Sequence, residues 1–198
     1  MTGLILASAS AVRAQLLERA GITFQISPAR IDEDTVKNAL LAEGVRPRGI
    51  ADALAELKAL RVSSSRPDAL ILGADQVLDL EGELLSKGEA ISTSRAQLVR
   101  LRGRTHRLLS AAALARNGAI IWRHVDEARL VMRDFSDAFL ESYLAEEGEA
   151  VLTSVGGYRL EGLGVQLFEC IDGDYFSILG LPLVPLLAAL RDQKVLQT

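Results

Sequence analysis

This sequence is short of the residues that most metal and nucleophile chemistries need. Among 198 residues there is one cysteine, Cys170, so an internal disulfide is excluded and a reducing compartment is expected. There are two histidines, His106 and His124, which excludes a His-rich metal centre as well as a Cys-based zinc site. No Gly-x-Ser-x-Gly turn accompanies either histidine, so a Ser–His–Asp hydrolase is disfavoured, and both are read as surface or partly buried strand residues. No apolar run is long enough to span a bilayer, and the N-terminus has no basic segment followed by a long apolar stretch. A cytoplasmic protein without a membrane partner is expected. Excess positive charge is missing too. Twenty-two Lys and Arg stand against 26 Asp and Glu, so stable nucleic-acid binding is not expected, and any phosphate must be held by a few placed cations. Linkers, repeats and low-complexity tracts are absent, and 49% hydrophobic residues suit one globular domain over 1–198.

What is present begins at Leu4-Ile5-Leu6-Ala7-Ser8-Ala9-Ser10-Ala11-Val12-Arg13. A buried strand breaks into small hydroxyl residues, and Ala14, Leu16, Leu17 and Ala20 then recur at helical spacing until Gly21. Amides at a helix start favour an anion, and Arg13 adds a permanent cation of forked geometry. The plainer reading of Ser10 is an N-cap. Ile22–Ser27 alternates as a second strand, and Ile31-Asp32-Glu33-Asp34 is read as an acidic loop. Pro47 opens a helix through Val62 that carries Lys58. Ala69–Leu72 is a buried strand, which Gly73-Ala74-Asp75-Gln76 interrupts before Val77 and Leu78 resume. Glu81-Gly82 and Asn117-Gly118 are hairpin turns, the latter between strands 107–116 and 119–132. Helices are expected over 93–101, over 136–146 with Ser136 as cap, and from Pro182 to Leu190, with a strand over 167–171. Alternating strands and helices followed by hairpins predict an α/β protein with a mixed sheet and helices on its faces.

The chemistry left is carboxylates with cations. Glu33 and Asp75 both follow predicted strands, where loops gather functional groups. Two carboxylates can hold a hard divalent ion, which acidifies water and neutralises phosphate oxygens. Arg13, Lys58, Lys87 and Arg159 are the cations nearest to these loops in sequence. A carboxylate between two apolar runs, as at Asp75, is costly unless paired or metal-bound.

These residues, in this order, resemble the Maf family of nucleotide pyrophosphatases. The resemblance runs through Leu6–Ser10 with Arg13, Ile31-Asp32-Glu33, Lys58-Ala59, Gly73-Ala74-Asp75 and Gly103 with His106. It continues through Glu161-Gly162-Leu163-Gly164, Gly173-Asp174-Tyr175 and Gly180-Leu181-Pro182-Leu183. It implies an elongated mixed sheet in two lobes around a central cleft, and hydrolysis of a nucleoside triphosphate to a monophosphate and pyrophosphate, in removal of non-standard or modified nucleotides. It implies a phosphate site of Ser8, Ser10, Arg13, Lys58 and Lys87, and a metal, Mg²⁺ or Mn²⁺, at Glu33 and Asp75. Asp75 is either the general base or a ligand of metal-held water. Two departures stand out: Ala11-Val12 stands where the family usually has Pro followed by a basic or aromatic residue, and Lys87-Gly88 stands where it usually has Lys-Pro. The first removes a φ-restricted residue from the phosphate loop and would loosen it. Base specificity falls on Val12, Gln76 and Glu161. Gln76 and Glu161 match the branch similar to 7-methyl-GTP hydrolases, whereas Val12 matches neither that branch nor the dTTP/UTP branch. A carboxylate can accept from guanine N1–H and the 2-amino group. The competing readings are a dTTP/UTP-type pyrophosphatase, a non-catalytic nucleotide-binding regulator and a phosphatase of smaller metabolites; a homodimer is compatible with each.

Overall fold

Leu4–Leu6 forms the first strand, β1, and all three residues are buried. A continuous apolar run suits a strand covered on both faces. In the computed structural model, which describes residues 3–197, α1 (Ala11–Arg19), β2 (Phe24–Ile26), α2 (Glu33–Ala42) and α3 (Pro47–Ser63) follow. Next come β3 (Leu70–Leu80), β4 (Glu83–Leu85), α4 (Ile91–Leu101), β5 (Thr105–Arg116), β6 (Ala119–Met132) and α5 (Asp137–Glu147). Two 3-10 turns lead to β7 (Phe168–Asp172), α6 (Tyr175–Ile178) and α7 (Leu183–Asp192). The seven strands form one mixed sheet in the order β2-β1-β3-β5-β6-β7, with β4 added to the far end of β3. β2, β1 and β3 are parallel and the other pairings are antiparallel. The α/β class and the mixed sheet are as the sequence predicted.

Strand alternation divides the core. Ile71, Val77, Leu109, Ala111 and Ala113 pack under α3 on one face. On the other face, Leu70, Leu72, Ala112 and Leu114 meet α1 and α7, whereas Leu78, Leu80, Leu108 and Leu130 meet α4 and α5. Between these two clusters stand Gln76 and Ser110, which are cross-strand neighbours. A polar pair thus separates the core of the parallel half from that of the antiparallel half.

Two local expectations are corrected. Gly73–Gln76 does not interrupt the strand: β3 runs unbroken for 11 residues, and its residues from Ile71 to Asp79 pair with β5. The Asp75 charge is matched by a lysine from the helix above, so nothing forces the chain out of strand geometry. Glu33 lies not on a loop but at the first position of α2, a helix absent from the sequence reading, where the Asp32 side chain caps the Thr35 amide.

Candidate active site

β1 pairs with β3 only as far as Leu72, and β4 joins the same edge only from Leu78. Between them β3 has an edge with no strand partner, and the loop after β1 turns across this opening. Ser8 is buried, and its hydroxyl accepts from the Ser10 amide at 3.3 Å and from Arg13 Nη1 at 3.0 Å. Ser10 is the α1 cap, accepting from the Arg13 amide at 3.4 Å. Arg13 is buried as a strut: Nε donates to the Gly180 carbonyl at 2.8 Å and Nη1 to the Ala74 carbonyl at 3.1 Å. Those bonds consume three of its five N–H groups and leave the Nη2 pair without a partner among the described residues. Burial lowers its pKa from the ordinary value, and Asp75 and Glu33 oppose that shift. With Ser8, Ser10 and Arg13 bonded together, the loop is tied down without the missing proline.

α3 carries Lys58 over β3, and it can approach because Gly73 has no side chain. A Cβ there would stand 2.1 Å from the Ala55 carbonyl oxygen and 2.6 Å from the Ala59 nitrogen. Lys58, next to Ala59, is buried, and its ammonium bridges Asp75 Oδ1 at 2.6 Å and Glu33 Oε1 at 2.8 Å. Burial alone would raise the Glu33 carboxyl, but Lys58, by charge and hydrogen bond, with Lys37 and Arg13, brings it below its ordinary value. Asp75 Oδ2 is buried with no hydrogen-bond partner. Beside this group is a cavity of about 220 Å³ lined by Ser8, Ala9, Pro28, Arg30, Glu33 and Lys58, among others.

Lys87 follows β4, where its backbone bridges to Val155. The residue is open to solvent, yet its ammonium is lowered from its ordinary value, first by desolvation and then by Arg13 and Lys58, against Glu33 and Asp75. Lys87 therefore feels the charges of the other four candidates. Gly88 is buried, and a Cβ on it would stand 2.5 Å from the Ser94 hydroxyl, so the family's proline does not fit here without a shift of Ser94.

The base-specificity candidates are less gathered. Gln76 points to the sheet face opposite Asp75, towards α6, and its amide nitrogen donates to Ser110 Oγ and to the Ser177 and Ile178 carbonyls. Val12 is half-buried on the first turn of α1. Glu161 is an exposed residue on a separate loop, paired with Arg159 at 3.2 Å, and Arg159 in turn binds Glu147. Of the histidines, His124 is half-exposed on β6 as expected. His106 is fully buried, a correction to the surface reading, because Tyr158 supplies a hydrogen bond at 2.8 Å within an aromatic cluster. The sequence reading missed Ser110 and Ser177, which hold Gln76, and Asp126, which holds Ser177. Single polar residues on a hairpin and a short helix leave no motif.

Among the described residues, no three His, Cys, Asp or Glu side chains are grouped to hold a metal. Two carboxylates, one with an orphaned buried oxygen, do fit a hard divalent ion that takes its other ligands from water and substrate phosphate. The arrangement as a whole, three cations around two carboxylates at an open strand edge, can bind a polyphosphate and offer a carboxylate oxygen to a water.

Comparison with known proteins converges on one family. The model of the Maf-like protein family matches residues 3–193. A nucleoside triphosphate pyrophosphatase of Caulobacter vibrioides is 54% identical, the match covering 96% of both chains. Another, from Ruegeria pomeroyi, is 51% identical over 98% of both. A 7-methyl-GTP pyrophosphatase of Brucella abortus is 48% identical over 96% of both.

Proposed function

The chain belongs to the Maf-like protein family, and from that premise we propose that it hydrolyses a nucleoside triphosphate to the monophosphate and pyrophosphate with the help of a divalent cation. The observation that carries the mechanism is the Asp75 carboxylate: one oxygen is held by Lys58 and the other is buried and unpartnered. Lys58 fixes the orientation of the group, so the free oxygen is available to take a proton from the attacking water or to hold a metal. A bound Mg²⁺ or Mn²⁺ would sit against Asp75 and Glu33 and supply charge neutralisation for the phosphate oxygens. The triphosphate brings about four negative charges. Against them stand the free Nη2 of Arg13, the Lys58 and Lys87 ammonium groups, and the hydroxyls of Ser8 and Ser10. Water attacks the α-phosphorus, and pyrophosphate leaves against these cations.

For the base, the reading is a guanine-like purine such as 7-methyl-GTP. It rests on Gln76 and Glu161, and on the Brucella abortus relative of that name. Both side chains offer oxygen acceptors, which suit guanine N1–H and the 2-amino group. Val12 leaves room where relatives carry larger residues. The test is to incubate the purified protein with 7-methyl-GTP, GTP, dTTP, UTP and CTP, with Mg²⁺, Mn²⁺ or chelator, and resolve the products. Monophosphate and pyrophosphate with either metal, and none with chelator, are expected. A nucleoside diphosphate with orthophosphate overturns attack at the α-phosphorus, and a preference for dTTP or UTP overturns the base assignment alone. Thermal stabilisation by nucleotide without any product would instead favour the regulatory reading.

A further inference from the structure

Gln76 is the one base-specificity candidate whose side-chain amide is locked by the protein. Its nitrogen faces three acceptors, Ser110 Oγ at 2.8 Å, the Ile178 carbonyl at 2.9 Å and the Ser177 carbonyl at 3.1 Å. Two are carbonyl oxygens, which can only accept. The third is made an acceptor by its own bond, because the Ser110 hydroxyl donates to the Ser177 carbonyl at 2.6 Å. A flipped amide would set oxygen against two carbonyls, so the assignment is unambiguous. The Gln76 oxygen has no partner among the described residues, and lies on the side of Gly180, where a Cβ would stand 3.7 Å from it and 3.5 Å from Arg13 Nε. It therefore lies at the edge of the cation cluster.

The acceptors are themselves fixed. The Ser177 hydroxyl donates to Asp126 Oδ2 at 2.6 Å, the Ser177 amide donates to Asp174, and Asp126 Oδ1 meets His124 Nε2 at 2.6 Å. Asp126 is the cross-strand neighbour of Ser110, as Ser110 is of Gln76. One row of polar residues thus crosses three strands and pins α6 above them. Asp126 stands between the serine and the histidine, so the row is not a nucleophilic triad, in which the histidine would take that place.

We propose that Ser110 and Ser177, the latter anchored by Asp126, are positioning residues that hold the Gln76 amide so that only its oxygen is offered to the nucleotide. Gln76 then reads the base as a hydrogen-bond acceptor alone; set against the N1 position, it selects guanine, where N1–H donates beside the 2-amino group, over adenine, whose N1 accepts and whose amino donor stands at the neighbouring position. This rests on the reading that Gln76 faces the base. A free amide would serve either edge by turning over, and the loss of either anchor should erase selection more than catalysis.

The experiment is the ratio of kcat/KM for GTP to that for ATP, and of UTP to CTP, two pairs in which donor and acceptor exchange places. Each ratio is taken within one preparation, so partial unfolding of a variant cancels. Wild type should favour GTP over ATP. Ser110→Ala and Asp126→Ala should each bring that ratio about three- to tenfold closer to one, mainly through KM. In a Gln76→Ala background, Ser110→Ala should have no further effect on it. If Gln76→Ala collapses the ratio and both anchor variants leave it intact, the positioning role is overturned and the base reading stands. If Gln76→Ala also leaves it intact, Gln76 does not face the base and both fall.

Discussion

Asp75 presents one oxygen to the protein and keeps one back, and the consequences differ for turnover and for stability. Asp75→Asn keeps the shape and can still accept from Lys58, but it cannot take a proton. Turnover should fall about 10²–10⁴-fold, with thermal midpoint and nucleotide affinity little changed, as read by steady-state kinetics beside a melt. Lys58→Met acts the other way. It leaves a buried carboxylate without its counter-ion, which costs about 3–5 kcal/mol in urea unfolding at pH 7. Adding Asp75→Asn to it should return part of that loss, since the stranded charge is gone; a purely additive double variant would contradict the pairing. At this scale the charged candidates were legible, because a carboxylate between two apolar runs costs too much to be idle. The division of labour was not, since Lys58 meets Asp75 and Glu33 only in space.

At the scale of elements, the site depends on how closely α3 lies on β3. Gly73 sets that distance, and Gly73→Ala would drive a methyl into the backbone of α3 at Ala55 and Ala59. The helix must lift, at a cost of about 1–3 kcal/mol or more, and Lys58 must move away from Asp75. Loss of both stability and turnover is expected. A variant with wild-type melting and kcat would show that the contact is slack. Strand and helix positions were readable wherever burial is one-sided or complete. α2 escaped because none of its residues is fully buried, so its apolar stripe is weak. The break foreseen at Gly73–Gln76 failed for the opposite reason: β3 passes through a polar site and is held there by β5 on one edge and by Lys58 above.

Across the whole molecule, the sheet face away from α3 carries two separate clusters, and His106 is buried against the one packed under α4 and α5. Burial pushes its imidazole down to about 4. Below pH 6.5 the unfolded chain therefore binds a proton that the folded chain refuses. Stability is complete above that value and falls as the pH drops towards 4, by about 3 kcal/mol in all. His106→Leu should lower stability at pH 8, since the Tyr158 hydroxyl loses its partner, while flattening the slope between pH 6.5 and 4 in denaturant titrations. An unchanged slope would place the acid sensitivity elsewhere.

Sequence by itself determined the class of fold and the inventory of charges. Periodicity follows from which face of each element is dry, and the shortage of cysteine and histidine leaves carboxylates and cations to do the chemistry. Only the tertiary structure decided which of them act together. β1 stops at Leu6 and β4 starts late, leaving a gap in the sheet edge where residues from 8 to 87 converge. Alternation along β3 sends Asp75 to one face and Gln76 to the other. The orientation of that glutamine is set by a serine on a neighbouring strand and by two backbone carbonyls about a hundred residues away. Such long-range bonds leave no local pattern in a chain, because each is made by the packing and not by the spacing of residues.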